Sequence, residues 1–80
     1  MGIEVGMVVK SVAGHDKGSF YLVLSVTCDR AFIVDGRVRL LKKPKAKNFI
    51  HLRKTNCVVD IEDFDTNRKI RGLLHSYNYL

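Results

Sequence analysis

Residues 19–27 read SFYLVLSVT, with Phe20, Leu22, Leu24 and Val26 on one parity and Tyr21, Val23 and Ser25 on the other. A period of two belongs to a β-strand, whose successive side chains leave opposite faces. Residues 4–12, EVGMVVKSV, carry the β-branched valines that favour a strand, with Gly6 marking a bulge or kink near its start. The polar stretch between them, AGHDKG, is bounded by Gly14 and Gly18 and reads as a tight loop. After a short turn at 28–30, residues 31–35, AFIVD, predict a third strand. Asp35-Gly36 between two apolar runs is a hairpin signal, so residues 37–41, RVRLL, are expected as a fourth strand, with Arg37 and Arg39 on one face and Val38 on the other. Residues 42–48, KKPKAKN, combine a proline that cannot donate to a ladder with mutually repelling lysines, and predict a loop. Residues 49–53, FIHLR, offer a short fifth strand, and Cys57, Val58 and Val59 a further extended piece.

Towards the end the period changes. Ile70, Leu73, Leu74 and Tyr77 stand at i, i+3, i+4 and i+7, the apolar stripe of a helix. Asp65 and Thr66 are both suitable N-cap residues, and the carboxylates of 60–65 precede the helix where its dipole favours negative charge. Gly72 in the helix interior costs ~1 kcal/mol relative to Ala, so this helix needs tertiary packing. Short strands with Gly-rich turns predict a mainly β fold. The expected form is a small five-stranded barrel over about 4–54 with a C-terminal α-helix over about 66–78, packed on the barrel's open end or side. Closure removes edges that would otherwise pair with other chains. The 80 residues are read as one domain, 1–80, with one thin core and little room for a deep active site that excludes water.

Charge sharpens the picture. Fourteen Lys and Arg against eight Asp and Glu leave a formal net charge of +6. Residues 37–54 hold eight cations and no carboxylate, whereas residues 60–65, DIEDFD, hold four carboxylates. Such a segment points to a polyanionic partner, because each Lys or Arg on a phosphate displaces a counterion. Arg37 and Arg39, expected on a strand, would present planar guanidinium groups to bases or phosphates. Lys42, Lys43, Lys45 and Lys47 would neutralise phosphates from a loop stiffened by Pro44. His51 and Arg53 extend the candidate surface. Tyr21, Phe32 and Phe49 are the aromatic residues weighed for base stacking; Phe32 is assigned to the core and the other two stay open. With no Trp and an aromatic content of 9%, recognition through backbone and shape is favoured over base reading.

Other chemistry is poorly represented. Cys28 and Cys57 form no CxxC pair and have no flanking histidines, so no zinc site is expected and both are read as reduced thiols. His15, His51 and His75 are too scattered for a compact metal site. Asp63, Asp65 and Asn67 mimic the start of a calcium loop, but Arg68 stands where glycine is needed and Leu74 where the bidentate glutamate belongs. No nucleophile–base constellation or phosphate-cradling glycine loop appears, so a non-enzymatic protein without a cofactor is expected. The opening MGIEVGMVV lacks a basic region and a long apolar run, and no stretch is long and apolar enough to span a membrane, so the cytoplasm is the expected compartment.

The stretch GMVVKSVAGHDKGSFYLVL, residues 6–24, resembles a KOW motif in Gly6, Val8, Val9, Gly14, the pair Lys17-Gly18, and Val23. The continuation AFIVDG, with basic residues after it, extends the likeness to short KOW-domain RNA-binding proteins related to large-subunit ribosomal proteins. The likeness covers residues 5 to about 52. It implies an SH3-like barrel and contact with ribosomal RNA; ribosomal proteins are a further expected partner, and a monomer is the expected state. It also implies RNA contact by the first loop, here Gly14, His15, Asp16, Lys17 and Gly18. Asp16 sets a negative charge beside Lys17. The alternative is a protein-interaction module of the same barrel type in transcription or translation machinery, docking through the acidic turn and the apolar helix ending in SYNYL.

Overall fold

Both parities of residues 20–24 are apolar because both faces of this part of the strand are covered. The computed structural model describes residues 2–78. Five strands, β1 (Met7–Ser11), β2 (Phe20–Val26), β3 (Arg30–Val34), β4 (Lys45–Asn48) and β5 (Leu52–Val58), precede one helix, α1 (Asn67–Asn78). The strands form a single antiparallel sheet of order β4-β3-β2-β1-β5. The protein is thus mainly β, a small barrel-like sheet with a C-terminal helix, as its periodicity predicts.

Register explains the two cores. Val9 opposes Tyr21 and Val23 opposes Ile33, so these side chains share the inner face with Met7, Ala31 and Leu52. Val8 opposes Leu22, which opposes Val34; this row forms the outer face, and Ile70 and Leu74 of α1 lie on it with Phe20, Leu73 and Tyr77 around them. The helix therefore covers the side of the sheet and buries the stripe read from the sequence. Thr66 is its N-cap, with Oγ1 accepting the Lys69 amide at 3.1 Å. Its C-terminal end is held by Asn78, whose Oδ1 accepts from the Phe20 amide (2.8 Å) and whose Nδ2 donates to the Phe20 carbonyl (3.2 Å).

Two glycines are set by close approach. Gly6 has φ +88°, and a Cβ there would run into the Val59 carbonyl oxygen. Gly36 has φ +78°, and a Cβ there would strike the Asn67 carbonyl oxygen at the start of α1.

The structure corrects the sequence reading from 35 to 54. Residues 37–41 form no strand. Asp35 Oδ1 accepts the amides of Arg37, Val38 and Arg39 at 2.8–3.0 Å, and amides captured by a side chain cannot enter a ladder. The loop that results is tied to α1 instead, through Leu41 N–H donating to Asn67 Oδ1 at 2.9 Å and Arg71 Nη1 donating to the Gly36 carbonyl at 2.8 Å. The fourth strand is KAKN, within the expected loop, with Pro44 just before it, where a missing donor does no harm. Residues 49–51 form a 3-10 turn, and the fifth strand begins only at Leu52. It runs on to Val58, past the expected limit of 54, and absorbs a bulge between the pairs Val9↔Lys54 and Met7↔Val58. Thr55 Oγ1 holds this bulge by donating to the Val8 carbonyl at 2.6 Å. Among the described residues no helix is long and apolar enough to cross a membrane.

Two substitutions in α1 test this packing in opposite directions. Leu74 is 1% exposed, so Leu74→Ala is expected to destabilise the protein by about 3 kcal/mol in chemical denaturation. Gly72→Ala, at a position with nothing within 4 Å of an added Cβ, is expected to stabilise it by about 1 kcal/mol.

Candidate nucleic-acid interface

The first loop, 12–19, closes on its own backbone, with Gly18 N–H donating to the Ser11 carbonyl (2.8 Å) and Ser19 N–H to the Asp16 carbonyl (3.0 Å). This turns the Asp16 side chain inward. Its Oδ1 accepts from Ser11 Oγ at 2.8 Å and from Lys47 Nζ at 2.6 Å, and Lys47 Nζ also donates to the Ala13 carbonyl at 2.9 Å. Lys45 Nζ lies 3.6 Å from Oδ2, which is buried without a hydrogen-bond partner. Burial by itself would raise the Asp16 pKa. The hydrogen bonds from Lys47 and Ser11 and the charges of Lys47 and Lys45 outweigh it and hold the carboxyl at about 2, below its ordinary 3.8.

This arrangement divides the predicted site residues. Lys47 is only 8% exposed and its ammonium is neutralised by Asp16, so it stands inside the fold and not on the phosphate-facing surface expected for it. Lys45 is half-buried beside the same carboxylate. Because Asp16 points inward, the exposed part of the loop carries His15 and Lys17. Arg37 is exposed and Arg39 half-buried, on the Asp35-capped loop and not on a strand. Lys42 and Lys43 are exposed on the turn that follows, and Arg53 and Lys54 are exposed on β5. Arg53 stands opposite Lys10 across the β1–β5 ladder. His51 is half-buried in the 3-10 turn, its carbonyl accepting from Val12 N–H at 2.9 Å. Among the described residues, Arg39, Lys42, Lys43, Arg53 and Lys54 take part in no ion pair. Nor do the carboxylates of 60–65 face them in such a pair: Asp60 caps the 3-10 turn Ile61–Asp63, and Asp65 binds Lys69 at 3.0 Å.

The aromatic assignments change as well. Tyr21 is 4% exposed and belongs to the inner core, where burial, then the charges of Asp16 and Asp35, push its hydroxyl up to about 12. Phe49 is half-buried and packs on the same core. Phe32, assigned to the core from sequence, is half-buried outside both core clusters, opposite Ser25 and Ala46. Arg30 is exposed two positions before it on the same strand face, a candidate missed because residues 28–30 were read as a turn. The period-two spacing of Arg30 and Phe32 was the available signal. Val38, expected on the strand face opposite the two arginines, is 75% exposed at the loop tip between them. Among the described residues no cluster of His, Cys, Asp or Glu could hold a metal ion, and Cys28 and Cys57 are free thiols. The runner-up docking surface is partly occupied, since the apolar stripe of α1 lies against the sheet; Tyr79 and Leu80 of SYNYL fall outside the described residues. Neither the protein-family models nor the curated proteins contain a match to this sequence.

The Asp16 carboxyl makes stability depend on pH. Its folded pKa of about 2 lies below the ordinary 3.8, so its contribution is complete above pH 4 and is lost as pH falls through 2. Acid unfolding of the wild type should show this loss, up to about 2 kcal/mol, and Asp16→Asn should flatten the curve between pH 4 and 2. Lys47→Ala should destabilise by about 3 kcal/mol by leaving a buried carboxylate unpaired, whereas Lys42→Ala should stay within about 0.5 kcal/mol of wild type.

Proposed function

We propose that this protein is a non-enzymatic RNA-binding domain of the KOW type, on an SH3-like barrel, that docks on structured RNA, ribosomal RNA above all. The observation that carries this reading is the Asp16–Lys47 ion pair, 2.6 Å long between residues 31 positions apart. It joins the first loop, where the KOW resemblance expects RNA contact, to the basic segment that charge alone singles out. Two independent sequence signals thereby fall on adjoining surface.

In this reading Arg37, Arg39, Lys42, Lys43 and Arg53 neutralise phosphates, Lys45 does so from the edge of the junction, and His15 and Lys17 reach RNA from the first loop, with His51 beside Arg53. Lys47 is a positioning residue that fixes the loop against β4. Arg39, Lys42, Lys43 and Arg53, which take part in no ion pair among the described residues, suit this role, because a phosphate need not displace a carboxylate to reach them. Arg30 and Phe32 add one platform on which an unpaired base can stack. The protein acts in the cytoplasm as a monomer, with ribosomal proteins as neighbours.

Reversal of Lys42 and Lys43 to Glu tests the reading without touching the junction. It should leave the melting temperature unchanged and weaken binding to a structured ribosomal RNA fragment. It should also lower the slope of log affinity against log salt by about 2, one for each lost phosphate contact. Affinity and slope equal to the wild type's would remove these lysines from the interface. Co-sedimentation with ribosomes across a salt series tests the partner, and absence from every ribosomal fraction would overturn the ribosome assignment.

A further inference from the structure

A recess of about 410 Å³ lies beside the edge strand β5, lined by Gly2, Ile3, Phe49, Leu52 and Lys54. Ile3 and Phe49 pack on the inner core to which Leu52 belongs, so the recess is an apolar opening at the margin of that core. Lys54 is the charged residue of the lining; it is exposed and, among the described residues, takes part in no ion pair. It opposes Val9, an inner-face residue, and stands two positions from Leu52 on the same side of the strand. Arg53 leaves by the opposite face and takes no part in the recess.

The backbone beside the recess is open as well. Among the described residues β5 ends the sheet and pairs with β1 alone. The His51 carbonyl accepts from Val12 N–H at 2.9 Å, and Arg53 opposes Lys10. Alternate residues of an antiparallel strand bond to the same neighbour, so His51 and Arg53 turn their backbone polar groups to β1, and Lys54 turns its amide and carbonyl to the free edge. The Leu52 amide closes the 3-10 turn on the Phe49 carbonyl, and the Leu52 carbonyl lies on that edge beside Lys54. Leu52 and Lys54 thus offer pairing groups outward while their side chains line the recess. Sheets take up extended peptides in this way: main-chain bonds give affinity, and a pocket beside them selects the side chain. Charge selects the partner. A lysine on the edge repels a second copy of a chain whose net charge is +6 and attracts a carboxylate.

We infer that the free edge of β5 takes up an extended acidic segment of a protein partner as an added strand. The segment places a large apolar side chain in the recess against Ile3, Phe49 and Leu52, and a carboxylate on Lys54. Because Leu52 and Lys54 stand two positions apart on one face, the apolar residue and the carboxylate are also two positions apart in the partner. This surface is separate from the one assigned to RNA, where Arg53 points to the other face and Lys54 has no role.

Amide chemical shifts and amide hydrogen exchange of the full-length protein are followed during titration with the capped peptides TSFTETS and TSETFTS, which set the apolar–acidic pair in both chain directions. The controls are TSFTKTS, with lysine for glutamate, and TSFETTS, with the two residues adjacent. At least one acidic peptide should shift the amides of Ile3, Leu52 and Lys54 and slow exchange of the Lys54 amide, and both controls should bind at least about tenfold more weakly. Lys54→Glu, at an exposed position, should keep the melting temperature and reverse the preference, binding TSFTKTS above TSFTETS. Failure of both acidic peptides to move these amides, equal binding of the controls, or an unchanged preference in Lys54→Glu overturns the inference. Movement of the same amides on dilution without peptide assigns the edge to a second copy and also overturns it, as does their movement by a structured RNA whose binding Lys54→Glu abolishes. If RNA binds through the lysine turn while no peptide moves the edge amides, the added strand falls and the RNA-binding reading stands. If an acidic peptide binds at the edge and no RNA binds, the added strand stands and the RNA-binding reading falls.

Discussion

Lys47 carries a positive charge to a position where only 8% of it is exposed, and much of the molecule is organised around making that position habitable. An ammonium withdrawn from water needs a counter-charge and hydrogen-bond acceptors close by. Asp16 and the Ala13 carbonyl supply them at 2.6 and 2.9 Å. Both acceptors lie on the first loop, so that loop must fold back against the edge strand β4. A one-residue slip of β4 would send Lys47 to the opposite face and bring Ala46 opposite the carboxylate, so the pair also discriminates against the wrong register. Closing the end of the sheet and shaping the loop are thus the same event.

The second constraint is the double-sided sheet. Val8, Leu22 and Val34 on the outer face alternate with Val9, Tyr21, Val23 and Ile33 on the inner one, and neither row can remain in water. In a chain of 80 residues the inner row is buried by curvature of the sheet and the outer row by α1. The helix is held by groups that also shape loops distant in the sequence: Asn67 accepts the Leu41 amide, Arg71 donates to the Gly36 carbonyl, and Asn78 pairs with the Phe20 backbone. Its placement beside the first loop and the Asp35-capped loop leaves a cavity of about 410 Å³ between them.

These two constraints sort the cations. Lys47 is retained for structure and Lys45 lies beside the same carboxylate, while Lys42, Lys43, Arg53 and Lys54 remain exposed. The carboxylates of 60–65 cap a turn and pair with Lys69 near the helix start. Among the described residues, the carboxylates of 60–65 therefore form no ion pair with Lys42, Lys43, Arg53 or Lys54.

The sequence by itself determined what depends on neighbours along the chain. Strand β2 followed from a short apolar run bounded by turn residues, α1 from a 3.6-residue stripe after two possible caps, and the net charge from counting. Tertiary structure decided everything that depends on a partner far away. KAKN reads as a loop because lysines repel and Pro44 interrupts, yet it is a strand because Asp16, 31 residues from Lys47, neutralises its inner face. RVRLL reads as a strand because it alternates, yet it is a loop because Asp35 captures its amides and α1 holds its ends. Likewise, which cations face outward and which glycines border a cavity are set by contacts between elements. Periodicity reports which face of a segment is apolar; only the folded chain brings up the charge, amide or helix that decides whether that face is met.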